Sequence, residues 1–137
     1  MGEKPKEGSD AWKKDLEPSE ISFVDVKVVD FVGRWRHFTI PAAKFSDFIR
    51  GGIGFDGSSY GYSTVEDSDM LVIPDMDTAK MEPNGGGKIL SVVGEIFEVA
   101  EDGERRPFAA CPRRTVRRAV DYLSKSGIAD RYLISPE

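Results

Sequence analysis

Apolar and polar positions alternate from Ile21 onward, with Val24, Val26 and Val28 set between Asp25 and Lys27, which is the period of a strand with one buried face. Gly33 then supplies a turn, and Trp35 to Ile40 predicts a second strand returning as a hairpin. Pro41 stands where a first helical turn tolerates a missing N–H. Phe45, Phe48 and Ile49 repeat on one face until Gly51-Gly52, so a short helix laid across the hairpin is expected. Met70 to Ile73 reads as a short apolar strand closed by Pro74, and Asp75 to Thr78 as extended chain. Pro83-Asn84-Gly85-Gly86-Gly87 is the strongest turn signal, Ile89 to Val99 predicts a long strand, and Asp102-Gly103 marks the next turn. Pro112 opens a second helix in which Val116, Ala119, Val120 and Leu123 fall at i, i+3, i+4 and i+7, with Gly127 at the left-handed cap. After it, Tyr132-Leu133-Ile134 looks like the start of another strand.

Strand, strand, helix and then further strands is an α+β order. It predicts a β-grasp-like mixed sheet with one packed helix, plus a C-terminal connecting helix. Three segments follow: a polar N-terminal stretch over 1–20 with only Trp12 and Leu16 as large apolar groups, a β-grasp domain over 21–110, and a linker helix with what comes after it over 111–137.

A chain of 137 residues with 39% apolar content can bury one core without metals or disulfides. Cys111 is the sole cysteine, which excludes an intrachain disulfide and fits a reducing compartment. No run of about eighteen apolar residues exists, and Met1 to Lys6 lacks a hydrophobic signal core, so a soluble cytoplasmic protein with no membrane association is expected. Net charge is −5, from 24 acidic and 19 basic residues. Arg105-Arg106 and the set Arg113, Arg114, Arg117 and Arg118 are the densest basic features; a solvated helix face is the better reading, and no nucleic-acid partner is expected.

Other polar motifs are read in bland terms. Asp67, Asp69, Asp75 and Asp77 have i, i+2 spacing, but the glycine and glutamate of a calcium loop are out of register, which leaves solvation at a strand edge. Gly85-Gly86-Gly87-Lys88 is followed by a strand and reads as a hairpin turn. His37 has neither a second histidine nor an adjacent nucleophile and reads as structural.

Phe55-Asp56-Gly57-Ser58-Ser59 is different. It sets a lone carboxylate in a loop between ordered segments, where chemistry is usually held. Asp-Gly followed by Ser-Ser is also ordinary turn chemistry, with Asp accepting from backbone N–H groups two residues on. Together with Asp67-Ser68-Asp69 and the apolar run from Met70 to Asp75, however, the stretch closely resembles the amino-terminal signature of glutamine synthetases: F-D-G-S-S, a short gap, an acidic-Ser-acidic triplet and an apolar run. Pro74-Asp75 with Thr78, Pro107-Phe108 leading to Cys111-Pro112-Arg113, and the helix from Thr115 to Gly127 extend the resemblance from Val24 to the end. Two departures are Cys111, where the family often carries Asp, and the spacer Tyr60 to Thr64, where many bacterial members carry Trp.

The resemblance implies the amino-terminal domain of an ATP-dependent ligase that makes glutamine from glutamate and ammonia, with the catalytic domain lying beyond this sequence. Glutamate attacks the γ-phosphoryl of ATP while divalent metals clamp the phosphates, and ammonia then displaces phosphate. Asp56 is the implied catalytic residue, binding ammonium and removing its proton, with Ser59 accepting from the cation or fixing the Asp56 rotamer. The apolar strand entering G-P-E-x-E corresponds to Tyr132 to Glu137, so Glu137 matches the first metal-binding glutamate, with Ser135 at the glycine position and the second glutamate not in this sequence. ATP and magnesium or manganese are implied for the full-length parent, a ring-shaped homo-oligomer in which this loop enters the neighbouring subunit's site; the 137 residues alone are expected to bind no cofactor and to be inactive. Two alternatives stand beside this: a free-standing β-grasp interaction module without catalysis, and the same domain of a related γ-glutamyl amine ligase.

Overall fold

The computed structural model describes residues 20–64, 68–84, 86, 88–131 and 133–135. Its elements run β1 (Phe23–Val29), β2 (Trp35–Pro41), α1 (Phe45–Gly51) preceded by a 3-10 turn at Ala42–Lys44, β3 (Ile53–Asp56), a second 3-10 turn at Gly57–Tyr60, β4 (Asp69–Met81), β5 (Ile89–Val99), β6 (Arg105–Pro107) and α2 (Pro112–Ser126).

One six-stranded mixed sheet is ordered β2-β1-β5-β4-β3, with β6 paired to β5 off this path. Among the described residues only β1 and β5 run parallel, Val24 opposite Leu90 and Val26 opposite Val92; the other pairings are antiparallel. β1 borders β5 from Ile89 to Val93, and β6 borders it from Phe97 to Val99. The alternation seen in the sequence now has a cause: Val24, Val26 and Val28 are buried with Leu90, Val92, Ile96 and Val72 on one face, and Phe48 of α1 closes over them. Helix α1 leans on β4 rather than lying across the hairpin. It stops at Gly52, whose φ of 72° suits glycine and whose missing side chain makes room for the Val72 carbonyl.

β4 is one thirteen-residue strand, not a short strand ended at Pro74. The reason is its neighbour. β3 pairs only with Asp69 to Val72, so β4 is a sheet edge by Pro74, and an edge tolerates a residue without N–H. The ladder with β5 is interrupted between Asp75 and Lys80, where Thr78 bridges the gap: its hydroxyl donates to the Asp75 carbonyl at 2.6 Å and accepts from Val93 N at 2.9 Å.

Helix α2 runs from Pro112 to Ser126 with Gly127 in the left-handed cap, as the sequence predicts, but its apolar stripe is not buried. Val116 and Val120 are exposed, and the arginines meet the sheet instead. Arg113 and Arg117 both pair with Asp75, and Arg117 also reaches Glu95. This corrects two readings: these arginines are not merely a solvated face, and Asp75 is not a solvated strand edge. His37 lies exposed on β2, with Nδ1 2.8 Å from Asp25 Oδ1.

Candidate functional site

Asp56 ends β3, directly opposite Asp69 on β4, so two acidic residues face one another where the hairpin opens. The chain then tightens into the turn Gly57–Tyr60, for which Asp56 is the N-cap. Three donors hold its carboxylate. Ser58 N and Ser58 Oγ donate to Oδ1 at 2.9 and 2.6 Å, and Ser59 Oγ donates to Oδ2 at 2.7 Å. The Ser58 hydroxyl above all, then that of Ser59, lowers the Asp56 pKa from the ordinary 3.8 to about 2. The residue is exposed, and among the described residues no lysine, arginine or histidine forms an ion pair with it.

The turn is anchored from below. Gly57 is buried, its N–H donates to the Ser68 carbonyl at 2.7 Å, and a Cβ there would stand 2.4 Å from Met70 Sδ. Only glycine lets the backbone lie so close to β4. Tyr62 N donates to the Gly57 carbonyl at 2.9 Å. Tyr62 itself is buried, donates its hydroxyl to the Val29 carbonyl at 2.5 Å, and lies edge-on to Phe31, Phe55 and Phe108 at centroid distances of 5.4, 6.2 and 5.9 Å. Tyr60 stacks parallel to it at 6.2 Å. Burial raises the Tyr62 phenol above its usual pKa of 10.0. The spacer that departs from the bacterial pattern is therefore a support in this chain.

Asp56 and Ser59, singled out from the sequence, are in direct hydrogen-bond contact. Ser58 was missed, although the tendency of Asp to accept from the second residue on was the signal for it. Tyr62 was also missed: its partners at 31, 55, 60 and 108 share no period that a sequence pattern could reveal. Glu137, the implied metal ligand, and Asp67 of the acidic triplet lie outside the described residues. Among the described residues no three His, Cys, Asp or Glu side chains gather as a metal site, and no helix is long and apolar enough to cross a membrane.

The chain has clear relatives. Residues 20–99 match the family model for the glutamine synthetase beta-Grasp domain. The glutamine synthetase of Mycolicibacterium smegmatis is 34% identical over 131 residues, covering 94% of this chain and 27% of that protein. That of Escherichia coli K12 is 37% identical over 124 residues, covering 89% of this chain and 26% of that protein. The chain thus spans about a quarter of the length of the curated relatives it matches. Among solved structures, a GmaS/ADP complex superimposes with a TM-score of 0.68 at 23% identity, over 78% of this chain and 24% of that one. The Plasmodium falciparum glutamine synthetase seen by cryo-EM gives a TM-score of 0.67 at 19% identity, over 85% and 22%. These two share its fold.

Proposed function

This chain belongs to the glutamine synthetase β-grasp domain family, and from that premise we propose that it is the amino-terminal domain of an ATP-dependent glutamate–ammonia ligase, lending Asp56 to the active site of a neighbouring subunit. The observation that carries the reading is the Asp56 carboxylate: exposed, oriented by its own serines, and paired with no cation of the described chain.

Its chemistry suits an ammonium receptor. A carboxylate held near a pKa of about 2 is fully ionised around neutral pH, where ammonium is the dominant form of the nucleophile, so it offers a negative charge there. Between subunits, at an effective dielectric near 20, its attraction for a cation is about four times that in water at the same distance. Asp69 opposite adds to the negative field. The same serine hydroxyls make Asp56 a weak base at rest. Proton removal therefore follows binding: as the incoming ammonium nitrogen turns towards its electrophile and water is expelled, the carboxylate loses hydration and its basicity rises.

ATP and magnesium or manganese belong to the other half of the reaction, the activation of glutamate. Among the described residues no set of metal ligands gathers. Glu137 is proposed as the first of the metal-binding glutamates, and the working enzyme as a cytoplasmic homo-oligomer. Ammonia is the proposed acceptor, with larger amines as the competing substrates.

The test is nucleophile charge. In the complete gene product, Asp56→Ala should abolish most ammonium-dependent glutamine formation while sparing γ-glutamyl hydroxamate formation from hydroxylamine, which is uncharged at neutral pH and needs no carboxylate to attract it. Equal loss with both nucleophiles would assign Asp56 a scaffolding role and sink the proposal. A preference for a diamine over ammonium would reassign the domain to the amine ligases.

A further inference from the structure

Helix α2 is attached to the sheet by charge rather than by apolar packing. None of its residues is buried, and Val116 and Val120 remain 54% and 43% exposed. Its hold lies in the first two turns. Arg113 Nη2 donates to Asp75 Oδ2 at 2.5 Å, Arg117 Nη2 pairs with the same oxygen, and Arg117 Nη1 reaches Glu95 Oε1 at 2.6 Å. The carboxylates come from neighbouring strands and are largely covered, with side-chain exposures of 14% for Asp75 and 19% for Glu95. Screening by salt is weak for such groups, and the planar guanidinium forks fix direction as well as distance. Arg113 Nη1 is buried with no acceptor. Its guanidinium is thus held over Asp75 at the cost of one unsatisfied donor.

Asp75 cannot drift to accommodate the helix, because its carbonyl is tied by Thr78 and through Thr78 to Val93 N. The same strand begins at Asp69, opposite Asp56, and carries Met70 beneath Gly57. One rigid strand therefore runs from the candidate site to the root of the helix.

We infer that the Asp75, Arg113, Arg117 and Glu95 cluster is a positioning clamp for the ammonia step. It fixes the direction in which α2 leaves the sheet, and so the placement of the Asp56 loop relative to everything that follows Gly127. The inference rests on the proposed function and adds to it four residues that touch neither substrate nor reacting atoms. An angular error at the helix root is magnified at the loop, and a misplacement of about 1 Å costs on the order of a hundredfold in rate.

Three measurements test it. In the complete gene product, Asp75→Asn should raise the KM for ammonium about tenfold or more while leaving the KM for ATP and the hydroxylamine reaction within about twofold, and Asp75→Glu should recover part of the loss. In the 137-residue chain, Asp75→Asn should speed amide exchange across α2 without changing exchange in β1 and β5. An unchanged ammonium KM, or a KM for ATP that rises in parallel, overturns the clamp, and so does unaltered exchange in α2. Failure of the underlying function looks different: Asp56→Ala would then lose both nucleophiles equally, while the α2 exchange signature of Asp75→Asn would persist.

Discussion

The Tyr62 hydroxyl donates to the Val29 carbonyl at 2.5 Å, tying the segment just after the Asp56 turn to β1 across 33 positions of sequence. Tyr62→Phe keeps the ring cluster and removes this bond, so it should lower stability by about 0.5–1.5 kcal/mol, read as a shift in denaturant midpoint at unchanged slope. The pH dependence carries a second signature. Because the folded-state pKa of Tyr62 is raised above 10.0, its contribution is fully present below that pH and is lost as pH climbs above it towards the folded value. The wild-type chain should weaken above pH 10.0 more steeply than Tyr62→Phe; parallel curves would show that the phenol ionises equally well in both states.

The acid limb is shared with Asp30 and Glu82, whose carboxyls are also held below their ordinary range, and its most strongly shifted member is Asp56. Its folded pKa of about 2 lies below the ordinary 3.8, so the associated stability is present above 3.8 and is lost as pH falls through about 2. Replacing Ser58 and Ser59 together by Ala removes both hydroxyl donors and should move the Asp56 titration, followed by carboxyl carbon NMR, back towards 3.8. A midpoint that stays near 2 would mean that some other group sets it.

Gly57→Ala should be costly for a local reason. The new Cβ would collide with Met70 Sδ, and overpacking of this kind typically costs about 1–3 kcal/mol. Met70→Ala in the same chain opens that space, so the double variant should lose less than the two single losses added together. Strict additivity by urea unfolding would place the glycine requirement in the backbone instead.

Mixed oligomers test whether the loop acts across subunits. Asp56→Ala and Glu137→Ala subunits are each proposed to be inactive alone. Refolded together at equal amounts, they should regain about a quarter of wild-type activity, since about one interface in four then joins an intact Asp56 to an intact Glu137. Absence of recovery would place both residues in a single subunit's site.

The chain announced its strands through valine. Val24, Val26 and Val28 alternate because one face of β1 lies on the core, and Ile89 to Val99 forms the predicted strand with the expected bounds. The ends of α2 were equally legible, since Pro112 and Gly127 punctuate the backbone whatever the helix packs against. Which face of α2 meets the sheet was not. The decisive partners, Asp75 and Glu95, lie 38 and 22 positions away from Arg113 and Arg117, and no helical period encodes a carboxylate supplied by a distant strand. Pro74 misled for a related reason: a proline ends a central strand but is harmless where the neighbouring strand has already stopped, and the length of β3 is not written near Pro74. At the site, the aspartate and Ser59 could be read from turn chemistry, whereas the aromatic cushion beneath them is assembled only by the completed fold.

The parallel pairing of β1 with β5 has a consequence during synthesis. The hairpin of β1 and β2 leaves the ribosome before the rest of the sheet, yet the strand that pairs with the free edge of β1 begins only at Ile89. For the whole interval the nascent chain carries an unpaired strand edge, and local hairpin formation cannot hide it. Folding therefore waits on translation, and chaperone demand should peak just before β5 emerges.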